Sequence, residues 1–72
     1  MRIGKKDIEQ LVGDINSELR GIGAREIHLR SGYNLHGVSG AMNEDITGLL
    51  NNRELYQWLS GFERALNYVR VD

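Results

Sequence analysis

Apolar residues recur at helical spacing near the start of the chain. Between residues 5 and 20 they fall within an arc of about 100° on a helical wheel. These residues are Ile8, Leu11, Val12, Ile15 and Leu19. Asp7 near the first turn and Arg20 near the last complement the helix dipole, and Gly21 and Gly23 supply the stop. The spacing predicts an amphipathic helix over residues 5–20.

A second helix is predicted over residues 52–69, where the apolar stripe spans about 120°. Its members are Leu55, Trp58, Leu59, Phe62, Ala65, Leu66 and Val69. Asn51 followed by Glu54 resembles a capping box with Asn in place of Ser or Thr. In a chain this short the stripe is expected to be core, although a homodimer seam beside Trp58 stays open as an alternative.

Two short alternating segments between the helices, 26–30 and 33–37, predict a β-hairpin. A three-residue loop of Arg30, Ser31 and Gly32 would put Gly32 in a left-handed position and keep the apolar residues on one face. This register pairs Leu29 with Tyr33, and it pairs Ile27 with Leu35.

The same register places four polar side chains together on the opposite face of the hairpin. They are Glu26, His28, Asn34 and His36, with Glu26 beside His36. Residues 37–41 are predicted to be flexible, and residues 42–47 could form a third strand anchored by Ile46. The expected fold class is therefore α+β: an N-terminal helix, a small antiparallel sheet of two or three strands and a C-terminal helix, with both helices on one sheet face.

The 72 residues are enough for one small domain, residues 1–72. The chain has no cysteine, which favours a reducing cytoplasm, and no segment approaches the length needed to span a bilayer. Nine basic residues against ten acidic ones argue against nucleic-acid binding, which draws on many phosphate contacts.

One local cluster combines cationic, polar and aromatic side chains, and it is the predicted site for a ligand or partner. Its members are Arg25, His28, Arg30, Tyr33, Asn34 and His36. Guanidinium hydrogen bonds and ring stacking suit a small anionic ligand or an acidic loop of a partner protein. The competing interpretation is that these charges keep an exposed strand edge from pairing.

Three further chemistries are weaker interpretations. His28, His36 and Glu26 on one face could hold a metal or serve a small hydrolytic enzyme. Residues 37–40 could cradle a phosphate with backbone N–H groups, but they lack the Gly-Lys-Ser/Thr ending of a P-loop. We therefore predict a non-enzymatic protein with no catalytic residues, metal or cofactor.

Several stretches resemble short orphan proteins encoded by tailed bacteriophages and prophages. These stretches are an opening Lys-Lys-Asp-Ile-Glu-Gln-Leu-Val helix, a central Tyr33-x-Leu35-His36-Gly37 segment, Asn43-Glu44, and a closing helix that begins Asn52-Arg53-Glu54-Leu55-Tyr56. That class has no common activity to transfer to single residues. The resemblance implies a setting, the cytoplasm of an infected bacterium, and not a mechanism. Phage accessory proteins of this size commonly occupy a host protein or sequester a small signal, so we predict a binding module that inhibits a host protein or sequesters a small anionic signal.

Overall fold

A computed structural model of the chain describes residues 2–69. Helix α1 spans Lys5–Gly21, strand β1 His28–Gly32, strand β2 Leu35–Ser39 and helix α2 Asn52–Val69. The two strands form an antiparallel sheet, and the helices contact both the sheet and each other. The predicted α+β class and its order are confirmed. Among the described residues, no helix is both long and apolar enough to cross a membrane.

Both ends of α1 are closed by contacts that its sequence provides. At the start, the Asp7 carboxylate accepts a hydrogen bond from the Gly4 backbone N–H, at 2.8 Å. At the end, Gly23 adopts a φ of 74°, and the N–H of Ala24 reaches back to the Leu19 carbonyl at 2.8 Å. This is a Schellman motif with glycine in the left-handed position. Of the two predicted glycines, Gly23 therefore ends the helix.

The predicted stripe of α1 is buried along its whole length. The buried apolar residues of the fold are Ile8, Leu11, Val12, Ile15, Leu19, Ile27, Val38, Leu55 and Leu59. On α2 the burial is narrower than predicted. Trp58 and Phe62 are partly buried and stack with ring centroids 5.3 Å apart, whereas Val69 is 65% exposed. The fully buried residues of α2 thus lie in its first half, and Phe62 and Leu66 in its second half pack against the core while only partly buried.

The two helices run in the same general direction. The Asn52 side chain, at the start of α2, donates a hydrogen bond to the Ile3 carbonyl just before α1, at 3.1 Å. Asn51 and Glu54 form the predicted capping box, since each side chain accepts from the other's backbone N–H, at 2.8 and 3.4 Å. The hydrogen bond from Asn52 to Ile3 therefore holds the start of α2 beside the start of α1.

The hairpin register differs from the predicted one. The turn is a two-residue turn of Tyr33 and Asn34, with φ values of 53° and 62°, as type I′ requires. Leu29 pairs with Val38, not with Tyr33. The reason is that Val38 is fully buried. Pairing Val38 with Leu29 puts the core-facing side chains of both strands on the same face of the sheet. The expected three-residue loop at residues 30–32 is wrong.

The segment 37–41 is expected to be flexible, but its residues 37–40 are buried and belong mostly to β2. The prediction of a flexible turn was wrong because Gly37 and Gly40 interrupt the apolar alternation around Val38, which hides the strand pattern. A three-residue loop does occur one hairpin later, at residues 41–43, with Asn43 at a φ of 61°. It is closed by the Gly40 N–H donating to the Glu44 carbonyl at 2.9 Å.

The segment after this loop, residues 45–50, follows β2 without forming a regular strand. Isolated bridges join Ser39 to Asp45 and His36 to Leu50. Between them the Thr47 hydroxyl accepts from the Val38 N–H at 3.0 Å, in place of a backbone carbonyl. Ile46, the predicted apolar anchor, is 42% exposed. The segment nevertheless closes one edge of the sheet.

Candidate partner-binding surface

The outer face of the hairpin is the face turned away from the core, and His28 and Arg30 lie on it. Both alternate with Leu29, which pairs with buried Val38 on the core face. Both are exposed, and the Arg30 guanidinium lies 3.4 Å from the Asp45 carboxylate. The structure therefore brings two of the predicted site residues together on one exposed face.

The hairpin tip consists of Tyr33 and Asn34. Tyr33 is 95% exposed, and both residues hold left-handed backbone angles. Arg25 is exposed in the connection between α1 and β1. The tip and the outer face together form a continuous run of strand and turn positions that presents cationic, amide and phenol groups.

His36 lies on the core face of the sheet, opposite to His28. Its Nδ1 is 2.7 Å from the Ser31 hydroxyl oxygen, and its backbone is bonded to Leu50. Glu26, expected beside His36, instead accepts a hydrogen bond from Arg20 at 2.5 Å. The predicted grouping of His28, His36 and Glu26 on one face is wrong, because the register shift separates them.

The backbone amides proposed for a phosphate cradle are already in use. The Val38 N–H donates to Thr47, and the Gly40 N–H donates to the Glu44 carbonyl. Both residues are buried. This stretch is therefore the centre of the sheet, and Gly37 allows close backbone packing there. A Cβ on Gly37 would overlap the Gly48 carbonyl oxygen.

Asn16 is a structural contributor that the sequence pattern did not reveal. Its side-chain carboxamide accepts from the Ile27 N–H at 2.8 Å and donates to the Ile27 carbonyl at 2.9 Å. The amide thus imitates the backbone of a neighbouring strand just before β1. The only sequence signal for this contact is a polar residue directly after Ile15. A polar residue there is equally typical of a solvent-facing helix position.

One acidic cluster lies between the two helices. Glu63 of α2 faces Asp14 and Glu18 of α1, and partial burial together with these two carboxylates raises its pKa. A shallow depression of about 170 Å³ nearby is lined by Asp7, Gln10, Leu11, Asp14 and Tyr56. This side of the helix pair therefore carries local negative charge.

Comparisons with protein-family models, with curated proteins and with solved structures found no match to the chain.

Proposed function

We propose that the chain is a non-enzymatic binding module that uses the hairpin tip and outer face as its contact surface. The observation that supports this most is Tyr33, which is 95% exposed at a φ of 53°. Left-handed backbone costs a non-glycine residue about 1–2 kcal/mol. The type I′ turn needs this backbone, but Asn or Gly would supply it at a lower cost, and so exposed a ring adds little buried surface to the fold. Strained and exposed positions of this kind are concentrated at recognition sites.

The surrounding charges indicate what is bound. His28 and Arg30 present donors on the outer face, and Arg25 is exposed nearby in the chain. Tyrosine and arginine are enriched among the residues that dominate binding energy at interfaces. The partner that fits is an acidic protein surface or a small anionic ligand. In the phage setting that the sequence resembles, the partner would be a host protein or a host signal in the bacterial cytoplasm.

The experiment is affinity capture from a bacterial lysate, followed by titration of whatever partner is recovered. Tyr33→Asn keeps a turn residue that tolerates the left-handed region but removes the ring. We expect it to weaken binding by about tenfold or more, as for a central aromatic anchor. Tyr68→Ala is the matched control, because Tyr68 is 89% exposed at the far end of α2.

A second variant reports on charge. Arg25→Glu combined with Arg30→Glu should abolish binding while the far-ultraviolet circular dichroism spectrum stays that of the wild type, since exposed substitutions change stability little. Unchanged affinity in both hairpin variants, or a loss confined to Tyr68→Ala, would move the contact surface to the helices and end the proposal.

A further inference from the structure

The two edges of the sheet differ in how their backbone groups are used. On β2, His36 exchanges both backbone hydrogen bonds with Leu50, and the Val38 carbonyl accepts from Ile46. These residues therefore point their backbone groups away from β1. In an antiparallel pair the residues directly opposite also point outward. On β1 those residues are Ser31, opposite His36, and Leu29, opposite Val38.

The outward edge of β1 is open at these two residues. Within residues 2–69, neither the N–H nor the C=O of Leu29 or Ser31 has a hydrogen-bond partner on that side. Two residues earlier, both backbone groups of Ile27 are bonded by Asn16. The Asn16 amide thus occupies the place of an added strand at Ile27, and the same place beside Leu29 and Ser31 is vacant.

The charges beside this edge select among possible occupants. An added strand would put its outer-face side chains next to His28 and Arg30 of β1. Carboxylates there could accept hydrogen bonds from both residues, with the Arg30 guanidinium shared with the Asp45 carboxylate at 3.4 Å. A second copy of the chain, paired antiparallel about Arg30, would instead set Arg30 opposite its own counterpart, and like charges opposite each other are destabilising.

We propose that the open edge of β1 binds an extended segment of a partner protein with acidic side chains at alternate positions, which pairs its backbone with Leu29 and Ser31. This strand addition rests on the proposed binding function and specifies how the partner docks. Main-chain hydrogen bonds would supply affinity, and His28 and Arg30 would supply the preference for acidic side chains.

The first experiment uses a capped peptide of alternating threonine and glutamate, about nine residues long, titrated into the ¹⁵N-labelled chain. We expect saturable shifts of the Leu29 and Ser31 amide signals and slower hydrogen exchange at both, because each N–H gains an acceptor. The same peptide with lysine in place of glutamate should bind about tenfold more weakly or not at all. Absence of saturable binding by the acidic peptide overturns the proposal, as does equal binding by the lysine peptide.

The second experiment compares two substitutions at one residue. Ser31→Pro removes the open N–H and also the hydroxyl contact with His36, whereas Ser31→Ala removes only the hydroxyl. Peptide affinity should be about tenfold lower in Ser31→Pro than in Ser31→Ala. Equal affinities would sink the proposal. If Ser31→Pro does not fold, Arg30→Gln provides the comparison: it should cut the preference for the acidic over the lysine peptide, and an unchanged preference overturns the proposal.

The results also separate this inference from the proposed function. If Tyr33→Asn abolishes binding of a captured partner while Ser31→Pro and Ser31→Ala bind it equally, the module binds by its tip and strand addition is wrong. Concentration-dependent dimerisation through β1 without peptide, seen by analytical ultracentrifugation, would assign the edge to a second copy and overturn the acidic partner.

Discussion

The helix pair and the sheet are stabilised by different kinds of contact. Of the nine buried apolar residues within the described range 2–69, seven lie on α1 and α2, and Ile27 and Val38 lie elsewhere. The sheet region relies instead on polar side chains that bond the backbone, such as Asn16 to Ile27 and Thr47 to Val38. The stability of the helix pair therefore depends on buried apolar volume. The stability of the sheet depends on individual hydrogen bonds and close backbone contacts. Substitutions can test that difference.

The largest effect is expected from Leu59→Ala in the helix pair. Leu59 is fully buried, and leucine truncation in a core costs about 2–5 kcal/mol, through lost transfer energy and the cavity that remains. Urea denaturation followed by circular dichroism measures the loss. Leu59→Met is the control and should cost less than about 1.5 kcal/mol, because it nearly conserves volume. Equal losses in the two variants would show that apolar volume is not what this position contributes.

Gly37→Ala should be the most damaging small substitution in the sheet. A Cβ there would overlap the Gly48 carbonyl, so the backbone must move, at a cost of about 1–3 kcal/mol. Gly13 is the matched control, since a Cβ at that exposed helical position meets nothing within 4 Å. Gly13→Ala should stabilise by about 1 kcal/mol. The two shifts in thermal midpoint should therefore have opposite signs, and shifts of the same sign contradict the assignment.

Asn16→Ala should cost about 1–3 kcal/mol, because it leaves both backbone groups of Ile27 without their partner. The variant removes no apolar volume, so the loss measures the polar contact alone. Asn67→Ala, at an exposed position on α2, should change stability by less than about 0.5 kcal/mol. Amide exchange gives a local readout: the Ile27 N–H should lose protection in Asn16→Ala while α2 keeps its own.

The smallest effect concerns charge in the helix pair. The pKa of Glu63 is raised in the folded chain, so its ionised form opposes folding at neutral pH. Glu63→Gln should therefore be slightly more stable than the wild type near pH 7. As pH falls through the raised folded pKa, the wild type gains a proton and the difference shrinks, and below the ordinary value of 4.5 it should vanish. Chemical melts at pH 7 and pH 4 measure it, and a difference that grows on acidification would reverse the sign argued here.

Parts of this architecture could be predicted from the sequence because helices repeat a simple pattern. The stripe from Ile8 to Leu19 and the Asn51 cap are local signals, and both are present in the fold. Sheet register is different, since a few alternating residues among glycines fit several pairings. Tyrosine is also an uncommon residue for a left-handed turn position, so turn preferences pointed away from Tyr33.

The candidate site shows the same limit. His28 and Arg30 share a face because any register keeps alternate residues of one strand together. His28 and His36 belong to different strands, so their relative placement depended on the register and was wrong. The contacts of Arg30 with Asp45 and of Asn16 with Ile27 join residues that are distant in the sequence. No local sequence pattern predicts such contacts.

The hydrogen bond between Asn52 and Ile3 closes a sequence separation of 49 residues, and this has a consequence for the order of folding. The parallel helices can pack only after the chain between them has been drawn together, and the entropy of that closure opposes early docking. We expect the local hairpins to form first, so that Gly37→Ala mainly slows folding and Leu59→Ala mainly speeds unfolding. Trp58 is the single tryptophan of the chain and stacks on Phe62 in α2, which is expected to dock late. Its fluorescence in stopped-flow refolding should therefore report helix docking, and a folding rate unchanged by Gly37→Ala would reverse this order.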